Sequence, residues 1–205
     1  MNEHTVFVVD DDPAILRAIE RLLRARDYQV ALYEGAARFL EATNPAIPGC
    51  LLLDLAMPEV SGLEVQERLR ALGDERPIIF LSGQGSIGTS VRAMKGGAID
   101  FLEKPCDDVQ LLTSVERALQ YDDRLRAERE RRELVRRRLG LLTPRESEVF
   151  RHIIAGRLNK QIAAKLGTAE KTVKVHRARV MTKMSVRSVA ELTRLADFIG
   201  VLPTA

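Results

Sequence analysis

The 205-residue chain has no tryptophan, two cysteines, three histidines, and no apolar run near the roughly 18 residues that a membrane-spanning helix requires. Two cysteines exclude a disulfide scaffold, and we expect both as free thiols in a reducing cytoplasm. The first residues, MNEHTVFVVDDDP, lack a basic segment followed by a long apolar stretch, so we expect no secretory signal. The histidines, His4, His152 and His176, are too dispersed for a metal site, and no Ser/His/Asp or Cys/His set has credible catalytic spacing.

The two signs of charge are unevenly distributed along a chain whose 45% hydrophobic and 30% charged residues are typical of soluble globular proteins. Residues 1–120 hold 12 Lys and Arg against 19 Asp and Glu, a net charge of −7. Residues 121–205 hold 20 against 10, a net charge of +10. This asymmetry predicts an acidic domain joined to one that binds a polyanion, for which nucleic acid is the obvious candidate.

Short β-rich apolar runs alternate with amphipathic stretches over residues 1–120, which predicts an α/β domain with a five-stranded, parallel, doubly wound sheet. The predicted strands are Thr5–Val9, Gln29–Tyr33, Cys50–Asp54, Ile78–Leu81 and Ile99–Leu102. The predicted helices are Ala14–Arg26, Ala36–Ala42, Gly62–Leu72, Ile87–Lys95 and Val109–Gln120. Asp12 before Pro13, and Ser61 three residues before Glu64, are typical helix starts.

Residues 121–140 predict a charged helical linker, because residues 121–139 contain neither glycine nor proline and are dominated by helix formers. The apolar residues Leu125, Leu134, Val135 and Leu139 do not repeat as heptads, so we expect a solvated helix. A dimeric coiled coil is the alternative.

Residues 141–205 predict an all-α domain of four helices. Thr143 begins a capping box with proline in its first turn, and the helix that follows ends at Gly156. The later predicted helices are Lys160–Leu166, stopped by Gly167; Ala169–Met184, capped by Thr168; and Val186–Ile199. A short helix, a glycine turn and a longer basic helix form the helix-turn-helix pattern.

Polar side chains follow the predicted strands at their carboxyl ends, where a parallel sheet brings ligand-binding residues together. They are Asp10, Asp11 and Asp12 after the first strand, Asp54 after the third, Ser82 after the fourth and Lys104 after the fifth. Converging carboxylates repel one another unless a hard cation lies among them, and such oxygen ligands suit Mg²⁺. With Asp54 as nucleophile, Lys104 as a second cation and Ser82 as a donor, the set predicts phosphoryl transfer.

Two other interpretations compete with this one. Asp12 alone is explained as the cap of the helix that begins at Pro13. Gly83, Gly85 and Gly88 spell GxGxxG after a strand, which is the dinucleotide-binding context. That fingerprint normally occupies the first βα unit, however, and a nicotinamide or flavin dehydrogenase would leave the aspartates without a role.

The segments VFVVDDDP, LLLDLAMPEVSGLE, FLSGQG and AMKGGAIDFLEKP resemble, in this order over residues 4–120, the CheY-like receiver domain of two-component response regulators. The roles that the resemblance implies are phosphoacceptor for Asp54; Mg²⁺ ligands for Asp10, Asp11, Asp54 and the main-chain carbonyl of Ala56; switch residues for Ser82 and Phe101; and phosphate binding for Lys104. It also implies a cis peptide bond before Pro105.

Three departures from the receiver pattern concern the region around the fourth helix and the end of the fifth strand. Gln84 stands where close relatives usually have His, Gly96 and Gly97 double a glycine, and Cys106 stands where Phe is common. None of them removes a group of the predicted site. We interpret Cys106 as an apolar filler rather than a redox-sensing thiol.

The basic helix Ala169–Met184 divides into two faces at 100° per residue. The packing face holds Val173, Arg177, Val180 and Met184, with His176 at its margin, and the outward face holds Lys171, Lys174, Val175, Ala178, Arg179 and Thr182. Several cations, two small apolar side chains and a hydroxyl on one face suit the DNA major groove. An ordinary solvated face is the alternative.

The segment LTPRESEVFRHIIAGRLNKQIAAKLGTAEKTVKVHRARVMTKM resembles the LuxR-type DNA-binding domain, and the whole chain resembles transcriptional regulators of the FixJ type. The implied contacts are to base edges from Lys174, Val175 and Ala178, and to the DNA backbone from Lys160, Thr172 and His176. Ala178 replaces a longer residue of some relatives, so we expect a different sequence preference.

The resemblance implies a phosphoryl acceptor rather than a multiple-turnover enzyme. A sensor histidine kinase would phosphorylate Asp54 with Mg²⁺, after which the chain would form a homodimer, bind promoter DNA and act with RNA polymerase, without a membrane partner. The alternative is a regulator that binds DNA constitutively and whose receiver is not controlled by phosphate.

Overall fold

The computed structural model describes residues 4–83 and 87–203, so Gln84, and Gly85 of the glycine-rich pattern, lie outside the described residues. The chain divides into two compact units, Met1–Leu125 and Arg126–Ala205. No helix in the described part of the chain is both long enough and apolar enough to cross a membrane.

The first unit contains a five-stranded parallel sheet with the strand order β2-β1-β3-β4-β5, which confirms the predicted α/β class. The strands are β1 (Thr5–Asp10), β2 (Gln29–Glu34), β3 (Gly49–Asp54), β4 (Ile78–Ser82) and β5 (Asp100–Glu103). In the register of the sheet, Val9 pairs with Leu53, and Asp54 pairs with Leu81. The polar residues that end β1, β3 and β4 therefore lie at the same edge of the sheet.

Helices cover both faces of this sheet. They are α1 (Pro13–Arg24), α2 (Ala36–Ala42), α3 (Gly62–Ala71), α4 (Ile87–Lys95) and the first part of α5 (Asp108–Gly140). Buried side chains of α1 and α5 form one apolar cluster with the sheet, and those of α2, α3 and α4 form a second cluster. The sheet is doubly wound, with β1, β3 and β4 buried between two cores.

The helix starts in the first unit follow their local sequence signals. The Asp12 side chain accepts a hydrogen bond from the Ala14 amide at 2.7 Å, and Pro13 is the first residue of α1. Ser61 and Glu64 form a complete capping box at the start of α3. Both predicted caps are confirmed.

In the second unit, all regular secondary structure of the described residues is helical, and these residues form one apolar core. The unit comprises the later part of α5, α6 (Pro144–Ile154), α7 (Asn159–Leu166), α8 (Glu170–Met184) and α9 (Val189–Phe198). Thr143 and Glu146 form the predicted capping box, and Gly167 ends α7 in the left-handed conformation with φ of 60°.

Three predicted helix starts in this unit are wrong by one to three residues. Helix α7 begins at Asn159, one residue before the predicted Lys160. Ala169, not Thr168, is the N-cap of α8, and it makes no side-chain capping bond. Helix α9 begins at Val189 rather than Val186, because the Ser188 side chain accepts a hydrogen bond from the Glu191 amide at 3.2 Å.

The later part of α5 is not the fully solvated segment that its sequence predicts. Val135 is only 2% exposed and belongs to the core of the second unit, and Leu139 packs against that core. The guanidinium groups of Arg131 and Arg132 lie 5.1 and 5.3 Å from the ring centroid of Phe198 in α9. This stretch of α5 is therefore part of the C-terminal fold.

A buried carboxylate joins the first turn of α6 to the last turn of α8. Glu146 is 2% exposed, and its carboxylate accepts a hydrogen bond from Lys183 Nζ at 2.6 Å and another from the Thr143 amide at 2.9 Å. The Lys183 contact, followed by that to the Thr143 backbone, lowers the pKa of Glu146 from 4.5 to about 2.

We expect Val135→Ala to lower the free energy of unfolding of the C-terminal unit by about 2 kcal/mol, because it removes two buried methyl groups and leaves a cavity. Leu134→Ala, on the neighbouring residue, is the control, since Leu134 is 41% exposed. Urea unfolding monitored by amide hydrogen exchange in α6 and α8 measures both changes. Equal effects of the two substitutions would contradict the burial of Val135.

We expect the Glu146 carboxylate to make the stability of the C-terminal unit depend on pH. Because its folded pKa lies below its unfolded pKa, the stabilisation is present above pH 4.5 and is lost as the pH falls towards 2. Glu146→Gln should give a shallower loss of unfolding free energy in this range, measured by urea unfolding at several pH values. Glu148→Gln, at a more exposed carboxylate of the same helix, should keep the wild-type slope.

Candidate functional site

One ammonium group lies between two buried carboxylates at the carboxyl edge of the sheet. Lys104 Nζ donates to Asp10 Oδ2 at 2.6 Å and to Asp54 Oδ1 at 2.5 Å. Asp10 is 1% exposed and Asp54 is 4% exposed, so neither charge is well solvated. The sheet topology brings these groups together, since β1 and β4 flank β3, and Lys104 directly follows β5.

Backbone amides occupy the carboxylate oxygens that Lys104 leaves free. The Asp12 amide donates to Asp10 Oδ1 at 3.0 Å, and the Ala56 amide donates to Asp54 Oδ2 at 2.8 Å. All four oxygens of the two carboxylates therefore accept a hydrogen bond, which fixes the orientation of both side chains. The Ala56 amide is a site group that sequence reasoning missed, because no side-chain pattern signals a main-chain donor.

Burial and hydrogen bonding act in opposite directions on the site's ionisation. Burial raises the pKa of Asp10 above its ordinary value and outweighs the hydrogen bonds from Lys104 and the Asp12 amide, which lower it. Burial lowers the pKa of Lys104, but the hydrogen bonds to Asp10 and Asp54 and the negative charges of these carboxylates together raise it above its ordinary value. The lysine consequently stays charged between its two partners.

The two predicted switch residues lie in the neighbouring strands β4 and β5. Ser82 ends β4 and is 1% exposed, and its carbonyl accepts a hydrogen bond from the Lys104 amide at 2.7 Å. Phe101 is half-buried against the second core, with its ring centroid 6.5 Å from that of Phe80. The Lys104–Pro105 peptide bond is cis, as predicted.

The remaining aspartates of the predicted set have other positions. Asp12 caps α1, and the Asp11 side chain is exposed to solvent. Across residues 4–83 and 87–203, no group of three or more His, Cys, Asp or Glu side chains is arranged to hold a metal ion. The donor set still fits Mg²⁺, which commonly takes one or two protein carboxylates and completes its shell with waters and a phosphate.

The doubled glycine after α4 has a structural cause. Gly97 has a positive φ of 93°, and a Cβ atom on Gly96 would lie 2.4 Å from the Gln66 side-chain oxygen. The Gln66 amide group donates to the Ala93 carbonyl at 3.2 Å, so Gly96 makes room for a side chain that ties α3 to α4.

The environment of Cys106 is that of an apolar side chain that packs against the core. The thiol is half-buried, and burial raises its pKa, which disfavours the reactive thiolate. This agrees with the interpretation drawn from the sequence.

The two faces of α8 match the helical-wheel prediction. Val173, Val180 and Met184 are fully buried, whereas the predicted outward residues are all exposed. These are Lys171, Lys174, Val175, Ala178, Arg179 and Thr182. The second unit therefore presents a continuous basic helix surface to solvent.

The other candidate DNA contacts lie at the margins of this surface. Lys160 in α7 and Thr172 in α8 are exposed. His176 is half-buried, and its Nδ1 atom has no hydrogen-bond partner among the described residues.

Both units match known families. Residues 6–116 match the response regulator receiver domain, and residues 140–196 match the luxR family of bacterial regulatory proteins. This chain is a two-component response regulator of the FixJ type. The receiver family implies a histidine kinase partner, and the LuxR-type domain implies DNA binding.

The response regulator has full-length relatives. It is 43% identical over 202 residues to Nodulation protein W of Bradyrhizobium diazoefficiens, covering 96% of this chain and 86% of that protein. It is 37% identical over 207 residues to the transcriptional regulatory protein FixJ of Rhizobium meliloti, covering 100% of both. The solved structure of the response regulator StyR matches with a TM-score of 0.85 at 45% identity, covering 95% of this chain and 98% of that one.

Membership of this family makes the response regulator a transcription factor and not an enzyme. The dehydrogenase interpretation of the glycine pattern is therefore wrong. Gly83 follows the fourth strand and Gly88 lies inside α4, whereas the dinucleotide fingerprint belongs to a first βα unit.

We expect Lys104→Met to raise the pKa of Asp10 further, because the substitution removes the hydrogen bond and the positive charge that lower it. A ¹³C NMR titration of the aspartate carboxyl groups in metal-free protein measures the shift. Lys95→Met, at an exposed cation of α4, is the charge-matched control and should leave Asp10 unchanged. An unchanged Asp10 pKa in Lys104→Met would contradict the observed geometry.

Proposed function

We propose that Asp54 accepts a phosphoryl group from a phosphohistidine of a sensor kinase and that this modification controls promoter binding. The observation that carries the proposal is the pair of buried carboxylates that share the Lys104 ammonium. A carboxylate oxygen of Asp54 attacks the phosphorus, the phosphorus–nitrogen bond breaks, and the imidazole leaves with that electron pair. Lys104 then faces an acyl phosphate carrying roughly 1.5 to 2 negative charges.

The surrounding residues have separate roles in this proposal. Mg²⁺ would be held by Asp10, Asp11, Asp54 and the Ala56 carbonyl, and when bound it would supply positive charge to the phosphoryl oxygens. The Ser82 hydroxyl donates to a phosphoryl oxygen, and Phe101 turns further inward as Ser82 moves. The change reaches the face formed by α4, β5 and α5. The conformational equilibrium of the receiver then shifts towards a form that dimerises through this face.

The exposed face of α8 is the proposed DNA interface. Lys174, Val175 and Ala178 contact base edges in the major groove. The outer residues contact DNA phosphates or flank the groove; they are Lys160, Lys171, Thr172, His176, Arg179 and Thr182. A homodimer would place two copies of α8 on half-sites about one DNA turn apart.

The remaining parts of the proposal follow from the family. The protein works in the cytoplasm and acts with RNA polymerase at its promoters. Residues 1–120 serve as the receiver, residues 121–140 join it to the output domain, and residues 141–205 bind DNA.

We expect the wild-type chain to gain one phosphoryl group when treated with acetyl phosphate and Mg²⁺, and Asp54→Asn to gain none, because the amide lacks the nucleophilic oxygen. Intact mass spectrometry measures the gain. Asp12→Asn is the control, since asparagine retains the helix cap and the variant should still be phosphorylated.

A gel shift with the same samples tests whether phosphorylation of Asp54 strengthens DNA binding. The probe is a duplex selected from a randomised pool by the phosphorylated wild-type chain. Asp54→Asn should bind it more weakly than the phosphorylated wild type does. Equal binding would support the constitutive alternative and overturn the proposed switch.

A further inference from the structure

The helix α7, the first helix of the helix-turn-helix, is held at both ends by arginines from neighbouring helices. Arg145 in α6 donates through Nη2 to the Leu166 carbonyl at 2.7 Å, at the last residue of α7. Arg177 in α8 donates through Nη1 to Asn159 Oδ1 at 3.2 Å, at the first residue of α7. The orientation of α7 relative to its two neighbours is thus tied by two guanidinium groups.

The Arg145 contact is well matched in charge. The last carbonyl groups of a helix have no partner within the helix and carry a partial negative charge, which a guanidinium stabilises. The other terminal nitrogen of Arg145 lies 2.8 Å from Glu148. Both terminal nitrogens of this side chain therefore bind protein groups.

Arg177 belongs to the packing side of α8, although it lies in a strongly basic helix. It is four residues after Val173 and three before Val180, both fully buried, so the three residues share one face of the helix. Arg177 itself is half-buried. Ala178, the next residue, is exposed on the outward face.

We propose that Arg177 is a positioning residue for DNA recognition rather than a DNA contact. Through Asn159 it fixes the angle between α7 and α8, and hence the depth at which Lys174, Val175 and Ala178 meet base edges. The inference rests on the proposed DNA interface. It predicts that Arg177 contributes to sequence discrimination more than to general attraction for DNA.

The salt dependence of binding distinguishes an arginine that contacts a DNA phosphate from one that only positions the recognition helix. Each phosphate that a cation neutralises adds about 0.9 to the slope of log affinity against log salt. Arg177→Met should weaken binding of a specific duplex by roughly three- to tenfold, the effect of losing one typical protein hydrogen bond. The salt slope should stay at the wild-type value.

The test uses the full chain phosphorylated with acetyl phosphate and Mg²⁺. The specific probe is a duplex selected from a randomised pool by the wild-type chain, and the non-specific probe is the same duplex with its sequence scrambled. Fluorescence anisotropy at several salt concentrations gives affinity, salt slope and specificity ratio for Arg177→Met, Asn159→Ala and the double variant. Arg179→Met is the matched control, because it removes the same charge from the exposed face of the same helix.

We expect Arg177→Met and Asn159→Ala to lower the specificity ratio by similar factors, and the double variant to be no worse than either single variant. Arg177→Lys, which keeps a donor near Asn159, should recover part of the ratio. Arg179→Met should lower the salt slope by about 0.9 for each DNA-bound protomer, or about 1.8 for the dimer.

Two results would overturn the inference. One is a salt slope lowered in Arg177→Met as much as in Arg179→Met, with losses that add in the double variant, since Arg177 would then contact phosphate independently of Asn159. The other is an unchanged specificity ratio in Arg177→Met. If Lys174→Met and Arg179→Met also left binding unchanged, the proposed DNA interface would be wrong.

Discussion

The Lys104 ammonium between Asp10 and Asp54 is the interaction on which the receiver site depends. Two carboxylates buried side by side would repel each other, and one of them would take up a proton, unless a cation lay between them. The ammonium contacts both carboxylates and fixes their orientation. The parallel sheet is what makes this arrangement possible, because β1, β3 and β5 each deliver one of the three groups to the same edge.

Some positive charges of the C-terminal unit stabilise its fold, and others are exposed on the outward face of α8. Lys183 binds Glu146, Arg145 binds the end of α7, and Arg177 binds its beginning. The cations on the outward face of α8 are exposed and available to a polyanion. The net charge of this region, on which the sequence argument for nucleic acid rested, therefore includes charges that stabilise the fold.

Sequence patterns predicted most where the signal was local. The strands, the capping boxes at Ser61 and Thr143, and the two faces of α8 each follow from residues a few positions apart. The interpretation failed where a partner came from elsewhere. Val135 lies in a stretch with few apolar residues, which predicted a solvated linker. It is nevertheless buried in a core formed by residues far from it in the sequence.

By itself, the sequence determined the fold class, the family and the residue types of the site, since periodicity, caps and motif order are properties of short segments. Only the tertiary structure decided which groups meet. Lys104 lies 94 positions from Asp10 and 50 from Asp54, and the Ala56 amide reaches Asp54 through the backbone of a turn. Such contacts depend on strand order and loop geometry, because separation along the chain does not specify distance in space.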